Sequence, residues 1–261
     1  MLEFKSWRDF WKFEHATKNQ ARYIRAPEVE AFLDTILQTV EKRVEVLAKE
    51  QILWRAQLGC DWEPIYEEDE YIDDRPTPHP PKKMKPLSGR ANEGRANPKG
   101  IPCLYLATNR DTALAEVRPW IGSYISVGQF KILQELRLVN CTTDQNGFQF
   151  YLKEPSAEKR EESVWMDIDQ AFARPVSPSD DIADYVPTQI IAELFKANSF
   201  DGVAYRSSLG DGHNVALFDL DMAKLVSCSL FQVKSIGFEF QESANPYNIR
   251  TGYDIDVTYD N

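Results

Sequence analysis

The chain has 261 residues, of which 43% are hydrophobic and 12% aromatic, a composition that suits a packed core and excludes a disordered protein. It carries 30 Lys and Arg against 41 Asp and Glu, which gives a net charge of −11 at pH 7. This acidic balance excludes a general nucleic-acid-binding protein, whose affinity comes from neutralising phosphates with an excess of basic residues. A phosphate-bearing ligand would have to be held by a few placed arginines and backbone amides.

The sequence gives no sign of a membrane or metal protein. No stretch approaches the roughly 18 apolar residues of a membrane span, and the charged N-terminal sequence lacks the apolar segment of a signal peptide. We therefore expect a cytoplasmic protein without membrane contact. The four cysteines stand far apart, at Cys60, Cys103, Cys141 and Cys228. Because paired metal ligands normally lie about two to four residues apart, this spacing predicts reduced thiols and no metal site.

The first 50 residues are predicted to form a helical N-terminal extension. Residues 6–13 have the composition of a capped, aromatic-rich helix, and apolar residues recur at helical spacing from 27 to 47, which predicts a helix of about five turns. Residues 51–56 then change to strand-like composition. Residues 61–94 are first acidic and then rich in Pro and Lys, which predicts a long surface loop, either disordered or a functional lid.

The remaining chain mixes strands and helices. Strands are predicted at 101–107, 124–132, 135–141, 202–207, 215–219, 225–231 and 235–240, and helices at 111–117, 158–172 and 187–197. They do not alternate regularly, so the pattern favours an α+β fold over a doubly wound parallel sheet. The polar residues 243–261 are predicted to form a loose tail.

Common catalytic motifs are missing from the sequence. No GxGxxG follows a predicted strand, and neither a GxxxxGKS or GxxxxGKT sequence nor a GxSxG sequence occurs. The sequence therefore supports no Rossmann cofactor site, no P-loop and no serine-hydrolase elbow.

Three residues on adjacent predicted elements could bind and cleave a nicotinamide dinucleotide. A loop bounded by Gly and Pro carries Arg95, a buried strand carries Tyr105, and a short helix presents Glu116 just before it ends. An arginine binds phosphate oxygens with two hydrogen bonds, an aromatic ring stacks on a cationic nicotinamide, and a carboxylate stabilises a sugar that becomes cationic in the transition state. Taken singly, each residue also fits a structural role, as a surface charge, a core aromatic or a solvated helix residue.

As a set, these residues resemble the RES family, in which Arg, Tyr and Glu recur in a GRxNPxGxxxLY…A…E pattern. Arg95, Tyr105 and Glu116 match that pattern residue for residue. Residues 200–208 and 212–218 resemble the family's serine segment and following strand, and residues 53–57 resemble its arginine-bearing strand. One departure is that Arg206 stands where the family often has proline. This departure leaves the serine assignment open between Ser207, which we favour, and Ser208.

The resemblance implies an ADP-ribosyltransferase-like fold, a split mixed or antiparallel sheet with surrounding helices, here over residues 51–242. It also implies an NAD-consuming toxin of a toxin–antitoxin module, with NAD as substrate, inorganic phosphate as a candidate second substrate and an antitoxin as a separate chain. The acceptor of the ADP-ribose group stays open between phosphate, water and a protein side chain. A degenerate fold that only binds a nucleotide or a partner protein is the alternative, and a homo-oligomer is compatible with either.

The resemblance also implies roles for individual residues. Glu116 would face the ribose, and Tyr105 would stack on nicotinamide. Ser207 would bind the carboxamide or the adjacent ribose. The remaining residues expected to bind NAD are Arg55 and Arg95, at the diphosphate, and Asn214. No metal is implied.

Overall fold

The computed structural model describes residues 3–87, 89–143, 150–174, 182–237 and 240, with the backbone of 247–248 and 258–259. Its helices are α1 (Asp9–Asn19), α2 (Pro27–Thr39), α3 (Arg110–Glu116), α4 (Ala157–Ala173) and α5 (Val186–Ala197). Its main strands are β1 (Val44–Leu47), β2 (Ile52–Leu58), β3 (Asp61–Glu67), β4 (Glu70–Thr77), β5 (Leu104–Ala107), β6 (Tyr124–Ile132), β7 (Leu136–Asn140), β8 (Gly202–Arg206), β9 (His213–Leu217) and β10 (Ala223–Gln232).

Eight strands form one sheet in the order β1-β7-β8-β9-β5-β2-β6-β10. The β7–β8 pair is parallel and the other pairs are antiparallel, so the sheet is mixed. Within the described residues, β2 and β5 are in register only at Trp54 and Ala107. The sheet therefore splits into two parts at this point. This architecture, with helices around a mixed sheet, confirms the predicted α+β class.

The largest core cluster lies between the sheet and helices α1, α2, α4 and α5. Its fully buried members include Phe13 of α1, Ile36 of α2, Trp165 of α4 and Ile191 of α5. The helices of the first 50 residues thus share a core with the rest of the chain. Truncating a buried Trp to Ala costs about 3–5 kcal/mol in such a core, so Trp165 contributes strongly to stability. Among the described residues, no helix is both long and apolar enough to cross a membrane.

The segment from 61 to 94 is not the continuous loop that its composition predicts. Strands β3 and β4 pair along their length as a hairpin, which is separate from the main sheet. Prolines are tolerated because both strands are edge strands. The two turn residues, Glu68 and Asp69, have φ values of 49° and 68°. Such turns usually carry Asn-Gly, so this hairpin lacks the usual sequence signal.

Two other predicted elements also differ. Helix α2 ends at Thr39 rather than continuing to 47, and β1 instead pairs antiparallel with β7. Pairing at the sheet edge outweighs the helical spacing of the apolar residues there. A strand predicted at 235–240 is absent from 235–237, and 238–239 lie outside the described residues. The predicted loose tail also lies outside them, apart from 247–248 and 258–259, which pair as two-residue strands.

Candidate active site

A cavity of about 310 Å³ opens where the sheet splits, between β2, β5, helix α3 and the adjoining ends of β8 and β9. Five of its lining residues carry polar groups suited to chemistry or binding: Arg55, Tyr105, Glu116, Tyr205 and Asn214. Its volume lies near the lower end of the range for small-molecule sites, about 300–1,000 Å³. Four of the residues predicted from the sequence meet here.

The position of Glu116 is fixed by both ends of helix α3. Asn109 caps the helix, since its side chain accepts a hydrogen bond from the Thr112 amide at 2.7 Å. The hydroxyl of Thr112 accepts a hydrogen bond from the Gly212 amide at 3.0 Å, which ties α3 to the chain just before β9. The helix then ends at Glu116, and Arg118 reverses the chain with a φ of 46°.

One carboxylate oxygen of Glu116 accepts two hydrogen bonds. Its Oε1 lies 2.7 Å from Ser207 Oγ and 2.6 Å from Asn214 Nδ2. Both donors are buried, whereas Glu116 itself is exposed at the helix end. Oε2 has no hydrogen bond from the residues that the structure describes, and is therefore available to a ligand. It is Ser207, and not the exposed Ser208, that contacts the carboxylate.

The hydroxyl of Tyr105 is enclosed by the loop that precedes its strand. It donates to Asn97 Oδ1 at 2.7 Å and accepts from the Ala96 amide at 2.9 Å. Burial raises the pKa of Tyr105 well above its ordinary value, so the phenol is neutral at physiological pH. A Cβ on Gly94 would lie 2.6 Å from Tyr105 Oη, which explains why glycine occupies that position. The loop thus fixes the ring at the cavity.

Arg55 forms a polar bridge across the split in the sheet. Its Nη1 donates to the Tyr105 carbonyl at 2.9 Å, while its buried Nε has no partner among the described residues. Burial lowers the pKa of Arg55 to about 10, which leaves the guanidinium protonated at neutral pH. A buried cation with an unused donor, at the wall of an open cavity, suits an anionic ligand.

Two of the predicted residues, Ser207 and Arg95, are not among the described residues that line the cavity. Ser207 donates to the lining residue Glu116, whereas the side chain of Arg95 contacts α4. Its Nη1 donates to the Ala171 carbonyl of α4 at 3.0 Å, and its guanidinium carbon lies 6.0 Å from the centre of the Tyr185 ring. It is close enough to the buried hydroxyl of Tyr205 to act against the burial that raises that group's pKa. Arg95 therefore lies behind the tyrosines of the cavity.

Sequence reasoning missed the residues that support the site from behind. Gln189 of α5 donates to the carbonyl oxygens of Gly94 and Asn97 at 2.9 and 3.0 Å, and so holds the loop that encloses Tyr105. Asn97 stands in the recognised loop motif, so the sequence contained a signal for it. Gln189 had none, because it lies more than 90 positions along the chain on a helix of apolar pattern.

An ion pair between a buried carboxylate of α4, Asp169, and the partly exposed Arg206 of β8 was also missed. The Asp169 side chain has no exposed surface and lies 3.5 Å from Arg206 Nη2, and it accepts hydrogen bonds from the amide and hydroxyl of Thr143. Burial raises the pKa of Asp169, although these contacts oppose the rise. The pair anchors the chain directly before Ser207. Among the described residues, no group of three or more His, Cys, Asp or Glu side chains is placed to hold a metal ion.

Comparison with known proteins gives a family match over most of the chain. The RES domain matches residues 72–234, a range that contains Arg95, Tyr105, Glu116, Ser207 and Asn214 but begins after Arg55. The crystal structure of the M. tuberculosis MbcT–MbcA toxin–antitoxin complex is similar at a TM-score of 0.43 and 15% identity, over 76% of this chain and 92% of that chain. Among curated proteins, no sequence matches significantly.

Proposed function

Because the chain belongs to the RES domain family, we propose that it is an enzyme that consumes NAD by breaking the nicotinamide–ribose bond, and that it serves as the toxin of a toxin–antitoxin module. The observation that carries the proposal is the Glu116 carboxylate, held on one oxygen by Ser207 and Asn214 at the wall of a cavity that also presents Tyr105 and Arg55. The two hydrogen bonds to Oε1 fix the direction of the carboxylate and leave Oε2 open to a ligand.

The chemistry requires negative charge beside the ribose. As the glycosidic bond breaks, its electron pair moves to the pyridinium nitrogen, so nicotinamide leaves as a neutral molecule and the ribose becomes oxocarbenium-like. Inorganic phosphate, or water that gives up a proton to the solvent, then bonds to the ribose carbon. Glu116 would stabilise the cation, with Oε2 facing the ribose hydroxyls. A fixed charge of this kind contributes about 3–4 kcal/mol to lowering the barrier.

The other residues bind and orient NAD. Tyr105 would stack on nicotinamide, with its hydroxyl held away from the ligand by Asn97. Ser207 and Asn214 would orient Glu116, and Ser207 would also contact the nicotinamide end. Arg55 would hold the diphosphate through its guanidinium, whose one hydrogen bond among the described residues goes to the Tyr105 carbonyl. The predicted contact of Arg95 with the diphosphate would require its guanidinium to turn from the Ala171 carbonyl toward the cavity.

The test is to incubate purified protein with NAD, with and without inorganic phosphate, and identify the products. ADP-ribose would indicate hydrolysis and ADP-ribose 1″-phosphate phosphorolysis. Label from NAD retained on a protein would indicate ADP-ribosyl transfer. Glu116→Gln is the inactive control, and Asp111→Asn is the matched control, because Asp111 is an exposed carboxylate on the same helix. No release of nicotinamide under any of these conditions would refute the proposed activity.

The toxin role has a separate test. Expression of the chain should arrest growth, Glu116→Gln should relieve the arrest, and an antitoxin expressed as a separate chain should suppress it. Growth that is equally unaffected by the wild type and by Glu116→Gln would argue against a toxin while leaving the enzyme assay to decide the chemistry.

A further inference from the structure

A second cleft of about 500 Å³ adjoins the cavity that contains Glu116. Its lining residues are Arg55, Ala56, Gln57, Leu58, His79, Lys83 and Val117. Three of them, Arg55, Ala56 and Val117, also line the first cavity. The two spaces therefore adjoin at these three residues, and together they are called the groove.

The two parts of the groove differ in chemistry. Glu116, Tyr105 and Asn214 line the first part, and two basic side chains, Lys83 and His79, line the second. We propose that the second part binds the adenosine diphosphate half of NAD, with the diphosphate between Arg55 and Lys83. This inference rests on the proposed function and adds a subsite that the recognised motifs do not contain.

Arg55 supplies the first observation. Its Nε is buried and has no hydrogen-bond partner among the described residues, and Arg55 lines both parts of the groove. A buried donor without a partner costs about 1–3 kcal/mol, and more when it is charged. A diphosphate beside the guanidinium would compensate the buried charge of Arg55, which favours an anion where the two parts meet.

Lys83 supplies the second observation in support of the subsite. It ends a short 3-10 helix, Pro81–Lys83, and its Nζ lies 2.7 Å from Asp61 Oδ1. The same oxygen lies 2.8 Å from His79 Nδ1. The side chain of Lys83 is 58% exposed, so its ammonium group is open to a ligand as well as to Asp61. Asp61 is thus the one carboxylate, among the described ion pairs of this cleft, that competes with a phosphate for Lys83.

The wall of this cleft is fixed to the sheet. The His79 amide donates to Ser126 Oγ at 2.9 Å, and that hydroxyl donates to the Gly59 carbonyl at 2.9 Å. Met84, directly after Lys83, is fully buried in the core. Anchors on both sides hold Lys83 near Arg55, so the cleft is built into the fold. A preformed site loses less entropy when a ligand binds.

The test is the affinity for ADP-ribose, measured by calorimetry. ADP-ribose contains the adenosine diphosphate half of NAD but lacks the nicotinamide–ribose bond, so it is not consumed during the measurement. Lys83→Gln should weaken binding about fivefold, the upper end for an exposed ion pair. Lys82→Gln is the matched control, because Lys82 is the preceding exposed lysine and does not line the cleft, and it should change affinity less than twofold. The Lys83 effect should shrink as salt is added.

Asp61→Asn gives the opposite sign. It removes the competing carboxylate, so ADP-ribose should bind about two- to fivefold more tightly, whereas a residue with only a structural role would weaken binding when it is replaced. A thermal melt of each variant shows whether the fold is intact. Equal effects of Lys83→Gln and Lys82→Gln would overturn the subsite, as would weaker binding by a folded Asp61→Asn. Absence of ADP-ribose binding by the wild type would also overturn it. Nicotinamide release from NAD is measured separately, so failure of the subsite is distinguishable from failure of the proposed activity.

Discussion

Replacing Glu116 with Gln removes its charge but keeps its shape. The amide oxygen of Gln can take the place of Oε1, which lies 2.7 Å from Ser207 Oγ and 2.6 Å from Asn214 Nδ2, and can still accept both hydrogen bonds. We therefore expect NAD affinity within a few-fold of wild type and a melting temperature close to it. The carboxylate charge stabilises the ribose mainly in the transition state, when the ribose becomes cationic. Its loss therefore removes about 3–4 kcal/mol of transition-state stabilisation, and turnover falls by about two to three orders of magnitude.

The assay is nicotinamide release at saturating NAD, with calorimetry for affinity and Asp111→Asn as the matched variant. A second substitution tests whether Ser207 acts through Glu116. Ser207→Ala should lower kcat about tenfold in the wild type, because it removes one of two charge-assisted donors to Oε1. In the Glu116→Gln background the same change should have little effect. Near-normal turnover of Glu116→Gln would refute the catalytic role of the carboxylate, and multiplying effects of the two substitutions would refute the coupling.

Three further predictions concern binding, packing and pH. Arg95→Ala should weaken NAD binding more than Arg95→Lys, and Lys should still be impaired because it cannot form paired hydrogen bonds; wild-type affinity of both by calorimetry would make Arg95 purely structural. Gly94→Ala should displace the Tyr105 ring and lower the free energy of unfolding in urea by about 1–3 kcal/mol, because its Cβ would lie 2.6 Å from Tyr105 Oη. Gly237→Ala should lower it little, because no described atom lies within 4 Å of the added Cβ. Equal losses in the two variants would contradict this packing. Burial raises the pKa of Asp167 to about 7, so between about pH 4 and 7 the folded state holds a proton that the unfolded state has lost, and the free energy of unfolding falls as the pH rises through that window. Asp167→Asn should therefore be more stable than wild type by about 1–3 kcal/mol at pH 8 and by less at pH 5. An equal gain at both pH values would show that the carboxylate does not titrate in that window.

The sequence predicted best where the function depends on a short motif or a regular pattern. Tyr105 and Asn214 stand on short strands, Glu116 ends a short helix, and Ser207 directly follows β8, so the structure brings these four residues close together. Their roles in binding and catalysis stay predictions. Arg95 was expected at the cavity, but the direction of a long side chain depends on a carbonyl supplied by α4, which local sequence does not contain.

The errors arose where long-range contacts decide the local structure. Val44–Leu47 has a helical spacing of apolar residues, yet the free edge of β7 makes it a strand. The β3–β4 hairpin was missed because Glu68 and Asp69, which rarely adopt positive φ, form its turn. Asp169 and Gln189 support the site from helices whose sequence indicates only amphipathic packing. Such partners follow from the tertiary fold alone.

The hydrogen bond from Arg55 to the Tyr105 carbonyl spans the seam at which β2 and β5 keep a single register pair. The same guanidinium lines both parts of the groove, so a ligand that draws Arg55 toward itself also acts on the seam. If Arg55 binds the ligand as proposed, occupancy of the groove and the stability of the β2–β5 contact are linked, and each changes the free energy of the other. Under that proposal, substitutions at Arg55 should accumulate in a genetic selection for inactive variants for two reasons, lost binding and a loosened sheet. Those at Glu116, on an exposed helix end, should accumulate for one reason, lost catalysis.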